Sequence, residues 1–163
     1  MHSNIINLLT ELHSAATGNL SLTEAAMLLI LAAVTFGLRK RVVLLPLLYT
    51  IFLIVYITVL RRAPGYDEHV RIHFVFWTIG IWAGHLLNLL LYMPFGAAGA
   101  QLRKLPWWTV IAGGAILSVC CETIQYLTKR GWADINDILF NTLGAAAGVA
   151  LMMLWNRRKY HEQ

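Results

Sequence analysis

Apolar residues fall into five long runs separated by short basic clusters, and three of those runs carry polar residues at helical steps of three and four. Val42 to Leu60 is nineteen residues without a charge, which matches the ~20 residues that an α-helix needs to cross ~30 Å of hydrocarbon. Trp77 to Leu102 and Trp107 to Thr128 are long enough to span as well. Ile135 to Trp155 carries one acid near its start, and a weaker run from Leu22 to Leu38 holds Glu24 near its outer edge. This pattern predicts an all-α, polytopic membrane helical bundle of about five transmembrane helices. Alternating ten-residue strands are absent from the sequence, so a helical bundle is favoured over a closed barrel, the other way to satisfy backbone groups in lipid.

The chain is 58% hydrophobic and 13% charged, with a mean hydropathy of +0.62 and a net charge of +5. Its bases cluster at helix ends instead of forming a stripe for nucleic acid, which is a topology signal. If five helices alternate, Arg39, Lys40, Arg41, Arg103, Lys104, Arg157, Arg158 and Lys159 share one side. Arg61, Arg62, Arg71, Lys129 and Arg130 share the other. The larger group marks the cytoplasmic face, which gives a multi-pass protein with its N-terminus out and its C-terminus in. The expected organisation is an interfacial segment at 1–20, two membrane helices at 21–60, a membrane domain at 61–155 and a basic cytoplasmic tail at 156–163. Residues 1–20 lack the basic start and apolar core of a signal peptide. Ile5, Leu8, Leu9, Leu12 and Ala16 fit an amphipathic interfacial helix, with a frayed terminus as the alternative. Cys120 and Cys121 are sequence neighbours and point apart on a helix, so they read as packing residues.

Three polar faces follow from the helical period. The last run aligns Asp134, Asp137, Asn141, Gly144 and Gly148; the fourth aligns Gly114, Ser118, Glu122, Gln125 and Lys129; the third aligns His85, Asn88, Tyr92, Gly96 and Gly99. Gly144 and Gly148 admit a close helix neighbour. Glu122 lies well inside a span, where a lone carboxylate costs ~3 kcal/mol, so it is expected to be protonated, paired with Arg61 or Arg62, or beside water. Pro94, in Met93-Pro94-Phe95-Gly96, predicts a break in the third helix that either frees carbonyls for a ligand or simply bends the helix for packing. His85 alone reads as an interior histidine before it reads as a metal ligand.

Asn88 with Pro94-Phe95-Gly96, then Glu122-Thr123-Ile124-Gln125, then Arg130, Asp134, Asp137, Asn141, Gly144 and Gly148, resemble in order and spacing the features of the VanZ-like family. The resemblance covers Arg61 to Trp155. It departs at Arg71-Ile72-His73-Phe74-Val75-Phe76-Trp77, where Val75 stands in place of a common proline and His73 in place of an amide. The resemblance implies a polytopic bacterial cell-membrane protein associated with lowered susceptibility to teicoplanin and related lipoglycopeptides. It names a phenotype and leaves the molecular activity open.

Three mechanisms fit these residues. In the first, Arg61, Arg62, Arg71 and Arg130 attract the phosphate or carboxylate of an undecaprenyl-linked envelope lipid or of the drug, oriented by Glu122, Asp134 and Asp137 with Asn88, Gln125 and Asn141. In the second, a lipid-phosphate enzyme holds a divalent cation on Asp134 and Asp137 and uses Glu122 as acid or base, although two acids and Asn141 are a thin ligand set. In the third, a flippase uses the Pro94 break, for which five helices suffice most easily as a homo-oligomer. The first is the expected activity, with membrane lipids as partners, no nucleic acid and no cofactor.

Overall fold

The computed structural model describes residues 21–40, 42–61, 72–73, 82–102, 105–130 and 133–161. Five helices account for nearly all of them: α1 (Leu22–Gly37), α2 (Leu45–Val55, continued by a π-helical turn Tyr56–Leu60), α3 (Trp82–Ala100), α4 (Trp107–Thr128) and α5 (Ile135–His161). Two residues before α3, Ile72–His73 (β1), pair in parallel with Ala133–Asp134 (β2), His73 opposite Asp134. The interfacial segment expected at 1–20 lies outside the described residues.

Local sequence sets the helix ends. Ser21 accepts from the Glu24 amide while Glu24 accepts from the Ser21 amide, a reciprocal cap that satisfies two otherwise orphaned donors of α1. Pro46 sits in the first turn of α2, where its missing N–H costs nothing. The end of α4 turns on Lys129, in the left-handed conformation at φ 53°, so that the Lys129 and Arg130 amides return to the carbonyls of the last turn. Asp134 accepts from the Asn136 amide at 2.8 Å and caps the start of α5.

Helix directions alternate. The Tyr49 hydroxyl donates to the Leu28 carbonyl and the Tyr56 hydroxyl to Glu24, which fixes α2 antiparallel to α1. The α3 and α5 helices run parallel: Gly144 lies against Leu89 and Gly148 against Met93 and Ala97. Antiparallel to both, α4 passes with Val110 against Gly99 and Phe95 against Gly114. A β-carbon on Gly144 would overlap the Leu89 carbonyl, one on Gly148 the Met93 carbonyl, and one on Gly96 the Ala145 carbonyl. Small residues therefore let the α3 and α5 backbones touch in close van der Waals contact. Tyr92, Phe95, Val110, Cys121, Ala145 and Val149 fill the core with Ile54 and Val59 of the second helix.

The break expected at Pro94 does not occur. The α3 helix is continuous from Trp82 to Ala100 with Pro94 inside it. Proline removes a single amide donor, and the close seat of Gly96, Leu89 and Met93 on α5 holds the helix on both sides of that gap. The last helix also extends beyond Trp155 through Arg157 and Arg158 to His161, so most of the expected basic tail is helical.

Among the described residues two helices, α4 and Ile135–Arg158 of α5, are long and apolar enough to cross a membrane, while Leu22–Gly37 and Leu45–Leu60 are shorter apolar helices.

Candidate functional site

The three polar faces read from the sequence converge at one end of the bundle, where α3 and α5 start and α4 stops. His85 Nδ1 lies 3.3 Å from Asp137 Oδ1, and the imidazole is stacked on Phe140 with ring centroids 4.7 Å apart and planes 4° from parallel. Phe140 is one turn from Asn136 and Asp137 on α5, so one helix supplies both the acid that holds the ring nitrogen and the surface that holds the ring plane. Asn88, one turn along α3 from His85, also reaches the Asp137 carboxyl, and Asp134 is close enough to act on it electrostatically. Glu122 is 7% exposed and accepts from the Asp134 amide at 3.0 Å, which ties α4 to the start of α5.

One turn deeper, Asn141 Nδ2 donates to Ser118 Oγ at 2.8 Å, and both residues are buried. Tyr92, fully buried, completes this level from α3.

The remaining polar residues at this end close off α2. The Gln125 amide donates to the Thr58 carbonyl at 2.6 Å and Arg130 Nη1 donates to the Val59 carbonyl at 2.7 Å. Those carbonyls belong to the π-helical turn at the end of the second helix. Gln125 and Arg130 thus have a structural task. Arg61 is half-buried beside Glu24 and Tyr56. Arg62 and Arg71 lie outside the described residues. The structure joins Asn88, Glu122, Asp134, Asp137 and Asn141 in one polar cluster and sets Gln125 and Arg130 at its rim against α2.

Sequence reasoning missed His85 as a partner of Asp137, and it missed Asn136, which is 4% exposed. Tyr92 and Ser118 stood on the right faces but were not singled out. For His85 the available signal was its position one turn before Asn88 on a face already marked as polar. Among the described residues, no three His, Cys, Asp or Glu side chains group as they must to hold a metal ion. Asp134 and Asp137, the pair weighed for a divalent cation, act respectively as a helix cap and as the partner of His85.

Outside this cluster the surface is oily. Leu22, Met27, Leu127 and Trp155 are each more than 60% exposed, and Ile116, Leu151 and Leu154 are exposed as well. The architecture defines a class: a helical bundle with an apolar exterior and a buried polar cluster at one end, contributed by three helices. The chain belongs to the VanZ/LLP1 family, whose profile matches residues 3–156. It is 30% identical over 71 residues to Protein VanZ of Enterococcus faecium, a match that covers 43% of this chain and 44% of that protein. No solved structure matches.

Proposed function

We propose that the protein crosses the bacterial cell membrane with five helices, its N-terminus outside, and lowers susceptibility to teicoplanin-class lipoglycopeptides by binding a lipid-linked envelope component or the drug's lipid tail. The observation that carries this reading is the inversion of polarity. Glu122, Asn141 and Ser118 are buried while long aliphatic side chains cover the exterior, a distribution that suits hydrocarbon as solvent and reserves interior ionisable groups for function. The alternation of helix directions supports the sidedness, because it sets Arg39, Arg157 and Arg158 at the end opposite Arg61 and Arg130, and the more basic end faces the cytoplasm. The polar cluster then opens outward, where the drug and the finished envelope precursors are found. Membership of the VanZ/LLP1 family and the likeness to Protein VanZ support a resistance-associated role.

The test is the teicoplanin susceptibility of a sensitive host expressing Asp137→Asn, with membrane abundance matched to the unaltered protein. Protection is expected to be lost. Full protection from the variant would remove the His85–Asp137 end as the binding site.

One observation favours a second reading, an enzyme acting on a polyprenyl-phosphate-type lipid. Asp137 holds one nitrogen of the His85 imidazole, which leaves the other to accept or donate a proton. Inorganic phosphate released from undecaprenyl phosphates by purified protein, and lost in His85→Gln, would favour it over binding. Movement of a labelled polyprenyl phosphate across proteoliposomes would favour a flippase.

A further inference from the structure

The inward faces are stacked in two levels. One helical turn separates Asn88 from Tyr92 on α3, Glu122 from Ser118 on α4, and Asp137 from Asn141 on α5. At the upper level the hydrogen-bonding groups answer one another: Asp137 meets His85, and Glu122 meets the Asp134 amide. At the lower level the accounting fails.

Tyr92 and Ser118 are 0% exposed and Asn141 is 2% exposed. Asn141 Nδ2 is satisfied by Ser118 Oγ, but Asn141 Oδ1 and the Tyr92 hydroxyl are both buried without a hydrogen-bond partner. The Tyr92 hydroxyl is adjacent to Ser118 and Cys121 but lacks the geometry of a hydrogen bond to either. Ser118 is thus a neighbour of both residues that carry an orphaned atom. A buried polar atom left unpaired costs about 1–3 kcal/mol, and interiors rarely hold even one such atom without a compensating partner.

We propose that Tyr92, Ser118 and Asn141 form a binding site for one internal water molecule between α3, α4 and α5. The donors and acceptors fit. The hydroxyls of Tyr92 and Ser118 each have a proton to give, Asn141 Oδ1 has a lone pair to fill, and a water accepts from the first two and donates to the third. Its second proton points among the remaining neighbours of Tyr92, Cys121 and Glu122. Three or four partners is the usual coordination of a buried water. A cation fits less well, because this level supplies neutral oxygens and an amide but no carboxylate. Beneath the water the core is shut: Phe95 packs on Gly114, and Gly96 and Gly144 bring α3 and α5 into backbone contact. The water therefore exchanges through the carboxylate level above it. This site stands independently of the drug phenotype.

The experiment is magnetisation transfer from water in solid-state NMR of the full chain in lipid bilayers, read at the Asn141 side-chain amide and the Tyr92 ring. Rapid transfer to both groups is expected, with a several-fold loss at Asn141 in Tyr92→Phe. Where that variant does not fold, Ser118→Ala provides the same reading. Absence of transfer in the unaltered protein overturns the proposal, and so does transfer from lipid hydroxyl or headgroup protons in place of water. A double-mutant cycle on thermal unfolding adds an independent check. Tyr92→Phe combined with Asn141→Leu should cost less than the sum of the two single changes, and simple additivity counts against a shared water.

Discussion

The two ends of the three-helix core solve the same packing problem in opposite ways. Toward the start of α5, Asn88, Glu122, Asp137 and Asn141 separate the helices with polar side chains that bond across the gaps or face one another. Toward its middle, Gly96, Gly114, Gly144 and Gly148 remove the side chains and let backbone meet backbone or ring. At the first end a substitution changes chemistry with little change in shape, and at the second it changes shape at once. The polar end is therefore built on a rigid base, which is what holds a binding constellation to a fixed geometry.

Breaking the tight end should have the largest effect. In Gly148→Leu the new side chain must displace the Met93 carbonyl and the Ala97 amide. The cost should exceed the ~3 kcal/mol at the upper end of ordinary overpacking, because backbone cannot swing aside as a side chain can. The expected outcome is loss of monodisperse protein after detergent extraction. The rim of the polar end should respond more mildly. Gln125→Leu keeps the volume but leaves the Thr58 carbonyl unmet, for an expected loss of about 1 kcal/mol in stability, read as a modest fall in unfolding temperature. Smallest of all is Gly113→Ala, next to the intolerant Gly114. Its added β-carbon meets Phe95 at an ordinary 3.8 Å, so helix propensity should add up to ~1 kcal/mol of stability. A destabilised Gly113→Ala would show that the close packing on α4 is not confined to the Gly114 face.

The helices were legible in the sequence because long apolar runs carry polar residues at the fixed steps of the helical period. The runs at 22–38, 42–60, 107–128 and 135–155 correspond to α1, α2, α4 and the greater part of α5. The faces of the candidate site were legible for the same reason, as Asn88, Glu122, Asp137 and Asn141 meet where their stripes predict. Partnerships were harder. Gln125 and Arg130, read as ligand contacts, also bond to carbonyls of Thr58 and Val59, and a backbone carbonyl leaves no mark in a sequence. Glu122, expected to be protonated, paired with Arg61 or Arg62, or beside water, also accepts from the Asp134 amide across a turn that no periodicity encodes. Pro94 was overread because the rule for an isolated helix does not include a neighbour pressed against both sides of the gap.

The π-helical turn at Tyr56–Leu60 has a mechanical consequence. The Arg61 amide reaches back five residues to the Tyr56 carbonyl, so this turn holds more than the α-helical allotment of residues, and the carbonyls of Thr58 and Val59 are taken by α4. The fourth helix thereby holds the end of the second, and neither can slide or rotate at this end without releasing both bonds. A shift of α4 toward an occupant of the polar cluster would be transmitted along α2 to Tyr56 and, through its hydroxyl, to Glu24 at the start of α1. That linkage makes one lever of the fourth helix and the first two, which lie far from it in sequence.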